Sequence, residues 1–69
     1  MDFKLEEIRK AKGLSRRELA EKSGVAEQNI QRLETFSSDP RTAQLLTLER
    51  LAKALGCKVR DFFPKEKYI

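Results

Sequence analysis

Cys57 is the only cysteine in the chain, and there is no histidine. An internal disulfide, a Cys/His zinc site and any nucleophile activated by a histidine are therefore excluded. Acid–base chemistry would fall to carboxylates and lysines, and none of these stands in a recognisable pair or cluster. The expectation is a protein that is not an enzyme and uses no cofactor, metal or small-molecule ligand. What remains is charge and hydrogen bonding. The chain carries 15 Lys and Arg against 11 Asp and Glu, for a formal net charge of +4 and a pI near 9.5. That balance suits a polyanionic partner, but the placement of the charges must decide.

The elements that place those charges are legible from patterning. At 69 residues, the chain makes one domain with one small core, burying roughly 60% of its unfolded surface. No apolar run exceeds two residues, so no segment spans a bilayer. No basic start leads into an apolar stretch, so the chain reads as cytoplasmic. Asp2 is placed to cap a first helix to about residue 12, with Leu5, Ile8 and Ala11 as its stripe and Gly13 beyond it. Ser15 and Glu18 have capping-box spacing, and Leu14 with Leu19 has that of a hydrophobic staple. Gly24 then stops the second helix after little more than two turns. Helix three spans about residues 27–34, with Val25 and Ile30 as a second staple and Ala26 as a poor cap. A polar connection, TFSSDPRTAQ, leads to helix four, which starts somewhere between Pro40 and Thr47. Asp39–Pro40 is a good cap and first position. The stripe of helix four is Leu45, Leu48, Leu51, Ala52 and Leu55, closed by Gly56, with Leu46 off the stripe. A short fifth helix, about 59–63, ends at Pro64, and 64–69 is a tail. The chain is all-α.

Two short helices joined by so tight a turn must cross steeply. In LSRRELAEKSGVAEQNIQRLE, residues 14–34, the small Ala20 is the contact residue where the axes approach. Gly24 supplies a positive φ at the corner. Leu19, Val25, Ile30 and Leu33 close the angle from both sides. This is the spacing of a helix-turn-helix, and it leaves one whole face of helix three exposed.

That stretch resembles the helix-turn-helix core of the phage repressor and Cro type, often called Xre-type. TLERLAKALGC and RDFF resemble the family's fourth and fifth helices, so the likeness covers about residues 3–63. The resemblance implies a compact five-helix, lambda-repressor-like domain that binds double-stranded DNA as a homodimer and represses transcription. It assigns base reading to Glu27, Gln28, Gln31 and Arg32. It assigns phosphate contact to Arg16, Arg17, Asn29, Thr35 and Arg41, and a structural ion pair to Arg9 and Glu34. The chain departs from the family pattern at Ala26, at Phe36 in place of a helix-ending glycine, at the longer connection after helix three, and at Lys58.

Each assignment has a plainer rival. Gln28, Gln31 and Arg32 also suit a solvated helix face. A carboxylate at position 27 gains from the helix dipole whether or not it meets cytosine. Arg9 could instead meet phosphate, and Phe36 either covers the core or joins a partner surface. Cys57 reads as a small apolar residue beneath helix five. Phe62 reads as core, while Phe63, Tyr68 and Ile69 are candidates for a dimer interface. The rival functions are a protein-interaction module or antitoxin-like partner that keeps this fold, and a membrane-surface binder. The second is disfavoured because the apolar stripes are needed for the core.

Overall fold

A computed structural model describes residues 3–37 and 39–64 of the chain. Four α-helices follow one another: α1 (Leu5–Ala11), α2 (Arg16–Ser23), α3 (Glu27–Glu34) and α4 (Leu45–Leu55). Single 3-10 turns at Pro40–Thr42 and Val59–Phe62 precede and follow α4. No strand occurs among the described residues.

The capping box at α2 is complete. The Ser15 hydroxyl accepts from the Glu18 amide at 3.0 Å, and the Glu18 carboxylate accepts from the Ser15 amide at 2.9 Å. Gly24, at φ +75°, donates to the Ala20 carbonyl at 2.9 Å and turns the chain into α3. Leu5, Leu19, Ile30, Leu51 and Phe62 have no exposure, so every helix and the last 3-10 turn contribute to one core. Helix α2 packs against both α3 and α4, while α1 packs against α3. The Lys4 amide donates to the Phe62 carbonyl at 2.9 Å and joins the start of α1 to the end of the core. The Asp2 cap and the 65–69 tail, with Tyr68 and Ile69, lie outside the described residues.

The structure corrects the reading of the chain at three points. The expected fifth helix is a 3-10 turn, because Pro64 disfavours α conformation at Phe63 and leaves room for one turn only. The Asp61 carboxylate makes up for the missing cap at Lys58 by accepting its amide at 2.8 Å. Leu45 is off the buried stripe at 62% exposure, because α4 begins there and its first turn overshoots the core; Leu48, at 5%, is the first to reach it. Ala11 is likewise exposed, whereas Ala20 packs against the core as a small contact residue should. Cys57 is partly buried against the core, and burial pushes its thiol up, with Asp61 adding to the shift.

Phe36 covers the core only in part and does not stay in an ordinary conformation. Its φ is +59°, the only positive value at a non-glycine among the described residues. The Ser37 amide reaches back to the Arg32 carbonyl at 2.9 Å, so Phe36 occupies the left-handed position that closes a Schellman cap. Its ring meets Phe3 edge-on at 6.4 Å while 52% of the residue stays exposed.

Candidate nucleic-acid interface

Ile30 and Leu33, at 0% and 4% exposure, fix which side of α3 faces the core. The opposite side then carries Glu27, Gln28, Gln31 and Arg32, all exposed. None of these four side chains has a hydrogen-bond or ion-pair partner among the described residues. A polar face with no internal work is available to an outside ligand. Glu27 sits on the first turn, where Ala26 provides no side-chain cap.

The far end of α3 is held by charge. Glu34, with no side-chain exposure, accepts from Arg9 Nε at 2.7 Å and Arg9 Nη2 at 3.1 Å. The third nitrogen of the same guanidinium, Nη1, donates to the Leu14 carbonyl at 2.8 Å. Arg9 therefore uses all three guanidinium nitrogens inside the domain and is itself buried, which favours the structural ion pair over phosphate contact. Arg16 Nε also donates to Glu34, at 2.8 Å, from the start of α2. One carboxylate thus ties α1 and α2 to the end of α3. Burial pushes the Glu34 carboxyl up, but the hydrogen bonds and charges of Arg9 and Arg16 outweigh it, and the net shift is downward. The Arg9 guanidinium is raised above its ordinary value, chiefly by its hydrogen bond to Glu34.

The residues assigned to phosphate are less uniform. Arg17 is exposed and makes no ion pair among the described residues. Arg16 shares one edge with Glu34, and its side chain remains 31% exposed. The Thr35 hydroxyl donates to the Gln31 carbonyl at 2.8 Å and lies 3.0 Å from that of Ser37. Arg41 pairs with Asp39 at 3.4 Å and keeps 60% of its side chain exposed. Asn29 and Arg32 form one wall of a polar groove of about 410 Å³, whose other wall holds Thr42, Gln44 and Thr47. Gln44 gives α4 no side-chain cap, so the first amides of α4 are open to an anion there.

Three features of this surface escape a reading of the sequence. Gln44 and Thr47 are hidden because several residues compete as the cap of α4. The Arg16–Glu34 contact joins residues far apart in the chain and leaves no local pattern.

A family model described as helix-turn-helix matches residues 5–62. Neither a curated protein nor a solved structure matches the chain. No helix among the described residues is long and apolar enough to cross a membrane, and those residues hold no cluster of metal-ligating side chains.

Proposed function

The chain belongs to the helix-turn-helix family, of the Xre/Cro-like type of DNA-binding regulator, and on that premise we propose that it is a sequence-specific repressor acting as a homodimer. Helix α3 enters the major groove. Gln28 pairs with adenine and Arg32 with guanine O6/N7, each giving about 1–3 kcal/mol of discrimination. Glu27 accepts from cytosine N4, and Gln31 reads one turn further on. Arg17, Asn29, Thr35, Arg41 and the open edge of Arg16 meet phosphates, which sets register without reading sequence. Two copies seat their α3 helices in successive major grooves one helical turn apart and block polymerase by occupancy.

The observation that carries this reading is the outward face of α3: four exposed, unengaged polar side chains on a helix whose other side is fully buried. A salt titration tests it. Binding to random-sequence duplex DNA should weaken steeply between about 50 and 200 mM salt, because phosphate contacts release counterions. Absence of duplex binding even in dilute salt would favour the protein-interaction or antitoxin-like module instead.

A further inference from the structure

Away from the outward side of α3, three grooves follow α4 from its first turn to its last, a run of about 15 Å. The first, of about 540 Å³, has Leu45, Leu48, Val59 and Phe63 as its apolar lining. Leu45 and Val59 also wall the second, of about 460 Å³, which passes Ala52 and Lys53. Lys53 in turn lines the third, of about 550 Å³. Shared walls make the three one continuous track. Leu45 and Leu46, 62% and 56% exposed, stand at its start. Apolar surface left open beside a hollow marks a place where another molecule sits.

The charges along the track choose the occupant. Arg60, Lys58 and Lys53 stand on the walls of the first two grooves, and Lys22 and Arg50 on those of the third. All five are exposed, and none makes an ion pair among the described residues. Glu49 is the one acid among the described residues that line the track. Arg41, also on the first groove, is held by Asp39 at 3.4 Å, and the nearby Asp61 carboxylate accepts the Lys58 amide at 2.8 Å. Such an excess of cations repels a second copy of a chain with net charge +4 and attracts carboxylates. A phosphodiester backbone could use the cations but has no apolar side chain to set against Leu48, Val59 and Phe63. A lipid surface is too flat to enter the grooves. None of the outward residues of α3 lines the track, so it is a surface distinct from the base-reading face.

We propose that this track docks an acidic segment of another protein, one that carries apolar side chains between its carboxylates. The apolar side chains fill the first two grooves beside Leu45, and the carboxylates meet Arg60, Lys58 and Lys53 on the rims. Panning a phage-displayed library of random peptides on the full chain tests it. Enriched peptides should combine Asp or Glu with Leu, Ile or Phe. A synthetic copy of one should shift the backbone amide resonances of Leu45, Leu48 and Val59. Arg60→Glu and Lys53→Glu change exposed residues outside the core, so both variants keep the wild-type circular dichroism. Each should weaken that peptide about tenfold. No enrichment, enrichment without acids, or shifts confined to α3 overturns the proposal, as does a peptide that binds either variant as it binds the wild type. Shifts of the same amides on concentrating the chain alone would give the track to a second copy. Displacement of the peptide by random-sequence duplex DNA would give its cations to phosphate. Either result also overturns the proposal. It does not rest on the DNA reading, and a chain that bound no duplex would leave it standing.

Discussion

Arg9 engages all three nitrogens of its guanidinium within the domain, Nε and Nη2 on Glu34 and Nη1 on the Leu14 carbonyl. Buried ion pairs contribute little net stability, but removing one side leaves a desolvated charge that costs about 3–5 kcal/mol. Glu34→Gln should therefore lower stability by about 3 kcal/mol or unfold the domain outright. The pH dependence has a definite sign. The Glu34 carboxyl is held below its ordinary range, so its contribution is fully present above about pH 4.3 and is lost as pH falls through the depressed folded value. Denaturant unfolding of the wild type should show stability falling on acidification below about pH 5, with a shallower fall in Glu34→Gln. Parallel profiles for the two proteins would mean that the carboxylate is not what joins α1, α2 and α3. Arg9 and Glu34 could be paired from the family likeness. The share taken by Arg16 could not, because a helix start by itself suggests phosphate, and only tertiary packing brings Glu34 beneath it.

Phe36 shows what the ending of α3 demands. The Schellman cap requires a left-handed residue, a conformation that costs roughly 1–2 kcal/mol in any side chain with a Cβ. The edge-on contact with Phe3 at 6.4 Å offsets part of that cost, since aromatic pairs contribute about 0.5–1.5 kcal/mol beyond burial. Phe36→Ala keeps the strain and loses the ring, whereas Phe36→Gly loses both. Thermal unfolding should rank Phe36→Gly above Phe36→Ala by about 1 kcal/mol. Equal stabilities would mean the backbone there is not strained. The boundaries of α2 and α3 were legible because each depends on local signals: a capping box, a glycine corner, two staples. The start of α4 was not, because Asp39 and Thr47 are both credible caps and the true first turn uses neither. The same ambiguity put Leu45 in the core stripe, although a helix that starts at Leu45 leaves its first residue beyond the packed layer. The last element lost its helix to Pro64, which is plain in the sequence but competes there with the apolar run before it.

At the scale of the whole molecule, the fold holds α3 at a fixed angle with its polar side outward. Leu19, Ile30 and Leu51 do this from the centre, and Glu34 does it from the edge. The architecture was readable because core, caps and corner all point the same way. The outward face was readable in composition, yet only the structure shows its four side chains free of internal partners among the described residues. One module this small has limited affinity, and the proposed homodimer would raise it to operator level. The central claim is that the outward face of α3 reads bases. Binding-site selection from random duplex DNA, run in parallel on the wild type and on Gln28→Ala, measures this directly. The wild type should select a two-fold site with half-sites about one helical turn apart. Gln28→Ala should lose preference at one base pair in each half-site and keep the others. An identical selected site for both proteins, or no selected site for the wild type, would contradict base reading by α3.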